Sequence, residues 1–175
     1  MRVAFDSVIL GAYLHLDAAY PTPVDRVPER LKHLIETLEA AKATIIIPTP
    51  TLSEFLVLAA SDTAAYVEEL VNSALFVVEP FDLKAAIEAA ESQRRAIDAG
   101  SKKSGATGPW QKVKVDRQIV AIAKVHSVDE LYSDDDDVRR LAEADGVPVR
   151  GVADLPLPPV DPQPSFLTDQ ETDAS

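Results

Sequence analysis

Five short runs rich in branched apolar residues alternate with amphipathic helical stretches along this chain, and the alternation limits the folds open to it. The runs are Arg2–Phe5, Thr44–Ile47, Leu75–Val78, Asp129–Ser133 and Val147–Arg150, with Pro48 stopping the second and Pro80 the third. Helical patterns cover Ser7–Leu16, Asp25–Lys42, Leu52–Ala60, Thr63–Asn72, Leu83–Ala99, Arg117–His126 and Val138–Ala144. Strands separated by helices cannot be joined as tight hairpins, so they should pair in parallel and be covered by helices on both faces. The expected fold is α/β: a three-layer sandwich with a central, mainly parallel five-stranded sheet flanked by helices.

Residues 1–153 suit one domain. Residues 154–175 carry five prolines and five acidic residues without helical or strand periodicity, which predicts a disordered acidic tail. No apolar run approaches the roughly 20 residues that span a bilayer. The opening MRVAFDSVIL lacks the order of a secretion signal, so the expectation is a cytoplasmic protein with no membrane partner.

The residue inventory narrows the chemistry. There is no cysteine, which excludes disulfides, thiolate metal sites and thiol nucleophiles. The three histidines, His15, His33 and His126, do not pair at ligand spacing. Carboxylates remain, and oxygen-only donors select hard ions such as Mg²⁺ or Mn²⁺.

In open parallel sheets, sites form beyond the carboxyl ends of the strands. Asp6 follows the first strand, Glu54 lies one turn into the helix after the second, Asp116 opens the helix DRQIVAIAKVH, and Asp134–Asp137 follow the fourth strand. Each also has a structural role open to it. Asp6 and Asp116 stand where N-caps stand, Thr51 and Glu54 have capping-box spacing, and one aspartate of the run can cap the last helix. As a set they differ from ordinary caps: like charges about 4 Å apart repel by on the order of 4 kcal/mol at an effective dielectric near 20. Convergence therefore calls for a cation or raised pKa values.

The net charge of −12 hides an uneven distribution. Between Ser92 and Arg117 seven cations (Arg94, Arg95, Lys102, Lys103, Lys112, Lys114 and Arg117) face two carboxylates, a net of +5 against −17 elsewhere. Within it GSKKSGATGPWQKVK has loop composition and holds Trp110, the only tryptophan. A solvated loop and an anion-binding footprint both fit this segment.

The motifs VAFDSVIL, TLSEFL, DRQIVAIAKV and LYSDDDDVRRLAE, in this order, resemble the PIN domain family, which includes the VapC toxin ribonucleases of toxin–antitoxin modules. The resemblance covers about Arg2 to Val152. It implies a metal-dependent endoribonuclease acting on single-stranded RNA, with Asp6, Glu54, Asp116 and Asp135 as the catalytic carboxylates holding Mg²⁺ or Mn²⁺. Asp137 maps as an accessory metal ligand. Ser133 maps as the hydroxyl that orients Asp135 or a bound water. Four consecutive aspartates leave the register open by one residue, so Asp134 or Asp136 could take the place of Asp135. A divalent ion in such a site activates water and neutralises phosphate charge. On this reading Lys102, Lys103, Lys112, Lys114 and Arg117 form a basic rim for RNA, and Trp110 stacks on a base.

A toxin of this kind implies a restraining antitoxin partner. The apolar stripe Val27, Leu31, Leu34, Ile35 and Leu38 offers a surface for that partner or a homodimer, or packs on its own domain. Two other readings fit the sequence less well. A PIN fold that binds RNA or protein without cutting would not need all four acids. A phosphorelay receiver domain would need paired acids after the first strand and a lysine after the fifth, where this chain has Asp6 alone and Arg150.

Overall fold

The computed structural model describes residues 1–14, 23–59 and 62–159. Its strands are β1 (Arg2–Phe5), β2 (Thr44–Pro48), β3 (Phe76–Glu79), β4 (Glu130–Tyr132) and β5 (Val149–Arg150). Its helices are α1 (Ser7–Tyr13), α2 (Val27–Ala40), α3 (Thr49–Ala59), α4 (Thr63–Asn72), α5 (Leu83–Asp98), α6 (Trp110–Val125) and α7 (Asp136–Ala144), followed by a 3-10 turn at Val152–Asp154. The strands form one sheet in the order β3-β2-β1-β4-β5, every pairing parallel.

The period of two along each strand divides the core into two layers. Val3 and Phe5 of β1, Ile45 and Ile47 of β2 and Tyr132 of β4 face a layer closed by residues of α1, α2 and α3. Ala4, Ile46 and Leu131 point the other way, onto Val113, Ile119 and Val120 of α6 and Leu141 of α7. The chain is thus the α/β sandwich that the alternation of elements predicts.

The stripe on α2 packs inward: Val27, Leu31, Leu34, Ile35 and Leu38 are all buried in the first layer, so it is no free partner surface. The ordered fold also runs past residue 153, since Leu155 is buried and its carbonyl accepts from Arg30 Nη1. His15 and residues 160–175, most of the expected tail, lie outside the described residues.

The largest departure from the sequence reading is at α6. The helix begins at Trp110, seven residues before the expected start at Arg117, and Pro109 precedes it as N-cap. Asp116 is therefore a mid-helix residue, not a cap. Similarly, α3 starts at Thr49, so Thr51 is not an N-cap and no capping box with Glu54 forms. Asp6 and Asp135 do cap: Asp6 accepts from the Ile9 N–H, and Asp135 from those of Asp137 and Val138.

Candidate metal centre

The strand order reverses between β1 and β4. From β1 the chain runs outward through β2 and β3, then returns to the other side of β1. Ligand sites form at such a switch point. Phe5 pairs with Tyr132, so Asp6 and Ser133 emerge side by side. The Asp6 N–H donates to the Tyr132 carbonyl at 3.1 Å, and the Ser133 hydroxyl donates to Asp6 Oδ2. The same Ser133 oxygen accepts the Asp135 N–H at 3.1 Å. One hydroxyl thereby locks the two strand ends together.

Over this base sit three carboxylates from two helices. Asp116 of α6 and Asp135 and Asp137 at the start of α7 can each offer an oxygen, and these oxygens lie within 4.8 Å of one another. Lys112, one turn before Asp116, places its ammonium between two of them, 2.9 Å from Asp116 Oδ2 and 2.8 Å from Asp135 Oδ2. The segment before α6 closes over Asp137: the N–H groups of Thr107 and Gly108 each donate to it at 2.8 Å. A Cβ on Gly108 would stand 2.6 Å from Asp137 Oδ2, so this approach requires glycine. The cleft so formed has a volume of about 570 Å³ and is lined by Thr107, Gly108, Lys112 and the aspartates 134–137 among others.

Burial sets the protonation of these acids. Removal from water pushes Asp6 up to about 7 against the bonds from Ser133 and the Ile9 N–H, with the charges of Asp135 and Asp134 adding to the rise. Burial likewise raises Asp116 to about 6 despite Lys112, helped by Asp135 and Glu54. For Asp137 burial also acts upward, but the Thr107 and Gly108 donors with Lys112 and Arg140 outweigh it and hold the carboxyl below its usual range. Burial tends to lower Lys112, yet bonds to Asp135 and Asp116 raise it well above an ordinary lysine.

These shifts predict how the metal-free chain responds to pH. Asp6 and Asp116 have ordinary values of 3.8, so the folded chain holds protons that the unfolded chain has released. Their contribution is complete below 3.8 and is lost as pH rises through about 6 and about 7. Asp137, with its lowered value, acts only on the acid side of that window. Urea unfolding in EDTA should therefore show a loss on the order of 3 kcal/mol between about pH 5 and 8. A flat or rising profile would contradict the burial of these two acids.

Of the residues singled out in the sequence, the structure brings Asp116, Asp135 and Asp137 together and sets Asp6 and Ser133 directly beneath. Glu54 reaches the same edge, where its Oε2 accepts from the Ser7 hydroxyl at 2.8 Å and its charge acts on Asp116. Within the aspartate run it is Asp135 and Asp137 whose oxygens lie close to those of Asp116. Asp134 turns to the Val152 N–H at 2.9 Å, and Asp136 is exposed. Gly151 lets Asp134 in, since a Cβ there would meet Asp134 Oδ1 at 2.1 Å.

The expected basic rim is largely redirected. Arg117 is 4% exposed and bonds Ser92 and Ser104, so it is not a surface contact for RNA. Lys112 belongs to the carboxylates. Lys103 donates to the Gly108 carbonyl at 2.8 Å, while Lys102 and Lys114 lie 4.2 and 5.9 Å from the centre of the half-buried Trp110 ring. Ser7 and the Thr107–Gly108 pair were missed in the sequence. The latter had a signal in Gly108 followed by Pro109, a turn that stops just short of a helix.

The three groups that converge here offer carboxylate oxygens, and a cation, the Lys112 ammonium, already bridges two of them. That set fits a hard divalent ion. Fold and site together define a parallel α/β sandwich with an acidic cluster at its switch point. No protein-family model and no curated protein matches the chain. Among solved structures it is similar to a chain of VapBC2 from Rickettsia felis bound to a DNA fragment from their promoter, with a TM-score of 0.57, 15% identity, and 86% of this chain and 98% of that chain covered. It is likewise similar to a chain of DNA-bound VapBC from Salmonella typhimurium, at TM-score 0.57 and 16% identity over 87% and 98% of the two chains. The chain shares its fold with these two chains. None of its described helices is long and apolar enough to cross a membrane.

Proposed function

We propose that this protein is a metal-dependent endoribonuclease that cuts single-stranded RNA and acts as the toxin of a toxin–antitoxin pair. The observation that carries this reading is the convergence of Asp116, Asp135 and Asp137 within 4.8 Å at the switch point of a VapC-like fold. Asp135 and Asp116 would hold the ion, Asp137 would assist, and Glu54 would face it from α3. A divalent ion bound there supplies Lewis-acid stabilisation of the charge that builds on a phosphodiester.

The protein's own groups have distinct tasks. Asp6 and Ser133 hold the Asp135 backbone in place, and the Ser7 hydroxyl aims Glu54. Lys112, once released from the two aspartates, is a cation that lines the cleft, with Arg139, and a contact for a backbone phosphate. Lys103 holds the Gly108 carbonyl beside the cleft, and Trp110 offers stacking area if its cover of Lys102 and Lys114 moves aside. The partner is an antitoxin, as in the VapBC assemblies whose fold this chain shares.

The test is incubation of a long, unstructured, mixed-sequence RNA with the purified protein and Mn²⁺, beside an EDTA control. Cutting that requires the metal is the expected result. Intact RNA across Mg²⁺ and Mn²⁺ with folded protein would overturn the nuclease reading and favour a binding module on the same fold.

A further inference from the structure

Asp137 belongs to the carboxylate cluster, yet its own bonds run to a different part of the chain. Its Oδ1 accepts the Thr107 N–H at 2.8 Å and lies 3.5 Å from the Thr107 hydroxyl and 3.4 Å from Arg140 Nη1, while its Oδ2 accepts the Gly108 N–H at 2.8 Å. Two successive N–H groups, one to each oxygen, form an anion nest whose anion is a side chain of the protein itself. The backbone also crowds the acid, since a Cβ on Gly108 would meet Oδ2 at 2.6 Å. The Asp137 side chain is left 8% exposed. Asp116 Oδ2 and Asp135 Oδ2, by contrast, face the Lys112 ammonium, a cation that a metal ion can replace.

What these bonds hold is the strap that leads into α6. Pro109, the N-cap of that helix, makes no side-chain cap bond, so α6 lacks a cap of its own. Thr107 and Gly108 come immediately before it and line the cleft together with Lys112 of its first turn. Lys103 ties the strap from the other side, its Nζ donating to the Gly108 carbonyl at 2.8 Å. Asp137 is itself fixed in the first turn of α7, where the helix dipole favours an acid. One carboxylate thus joins the start of α7 to the start of α6.

We propose that Asp137 is a positioning residue: it pins the Thr107–Gly108 wall of the cleft and leaves a divalent ion to Asp116 and Asp135. It serves the site through that wall, which bounds where a substrate can lie, and not by giving an oxygen to the ion. The pin is present in the metal-free chain; only the place left to the ion rests on the proposed metal-dependent activity.

The test uses the full chain and two variants. Asp137→Asn keeps the size of the side chain but turns one acceptor into an NH₂ group facing a backbone donor. Gly108→Ala retains every carboxylate and drives a methyl group onto Oδ2, so either the strap lifts or the carboxylate turns away. Gly108 is not among the glycines with positive φ, so alanine suits its backbone. In EDTA, trypsin should cut both variants at Lys102 and Lys103 roughly tenfold faster than wild type, as loss of a charge-assisted bond opens the strap more often. Trp110, the only tryptophan, stands two residues past Gly108 and should be quenched more strongly by acrylamide in both. By calorimetry Asp137→Asn should bind Mn²⁺ within about threefold of wild type, whereas Asp116→Asn should lose roughly tenfold or more. In the RNA assay Asp137→Asn should raise KM, with a far smaller fall in kcat than Asp116→Asn shows. A loss of Mn²⁺ affinity in Asp137→Asn as large as that in Asp116→Asn would overturn the proposal, and so would a strap as well protected in both variants as in wild type. Wild-type protein that binds no Mn²⁺ would instead defeat the metal-dependent reading, and the measurements in EDTA would still decide whether Asp137 holds the strap.

Discussion

Asp116→Asn should reduce Mn²⁺-dependent RNA cutting by roughly 10³-fold or more while leaving the chain folded. The substitution keeps size and shape but removes the one carboxylate that α6 contributes to the cluster. The divalent ion that such a cluster holds is worth several kcal/mol of transition-state stabilisation, and each 1.4 kcal/mol is about tenfold in rate. Folding should not suffer. Asp116 is 3% exposed and its carboxyl is pushed up to about 6, so near neutral pH its ionised form is a burden that asparagine removes. The melting temperature in EDTA should hold or rise, and its increase on adding Mn²⁺ should shrink. A variant that melts normally and cuts like wild type would remove Asp116 from the reaction.

Lys112→Met is expected to act in the opposite sense on metal affinity. The ammonium and a divalent ion compete for the same oxygens, Asp116 Oδ2 and Asp135 Oδ2, at 2.9 and 2.8 Å. Breaking a fully buried pair costs about 3–5 kcal/mol, but the Lys112 side chain is 41% exposed and water screens the loss. A metal-free penalty of about 1–2 kcal/mol follows, measurable by urea unfolding in EDTA. By linkage the same free energy no longer opposes the metal, so Mn²⁺ should bind roughly tenfold tighter by calorimetry. Unchanged Mn²⁺ affinity in a folded variant would show that Lys112 and the ion do not share the two carboxylates.

Much of the architecture was readable because its signals are local. The five strands stand out as β-branched runs stopped by proline or polar breaks, and each lies within two residues of its expected place. Their separation by helices was enough for a parallel sheet. Asp6 and the aspartate run were readable because strand ends in such a sheet must open into the cleft. The start of α6 was not. Glycines and lysines between Gly100 and Lys114 look like a loop, and the buried Val113 is separated from Ala106 and Trp110 by polar residues and glycine, with no helical stripe to announce it. Only the packing of α6 between α5 and α7 makes that turn helical.

The same shift of α6 explains why the basic rim came apart. Adjacent residues on a helix point about 100° apart, so Asp116 faces the carboxylates while Arg117 faces α5. Lys112, four residues before Asp116, shares its face and becomes a partner of the acids. The local pattern of strands and helices, the oxygen-only donor set and the order of the acids along the chain were determined by the sequence itself, since each depends on residue type and short spacing. Which aspartates meet, where Lys112 and Arg117 point, and how deeply Asp6 and Asp116 are buried were decided by the tertiary structure. Helix phase and the closeness of β1 to β4 bring together groups more than a hundred residues apart, and no local spacing encodes that distance.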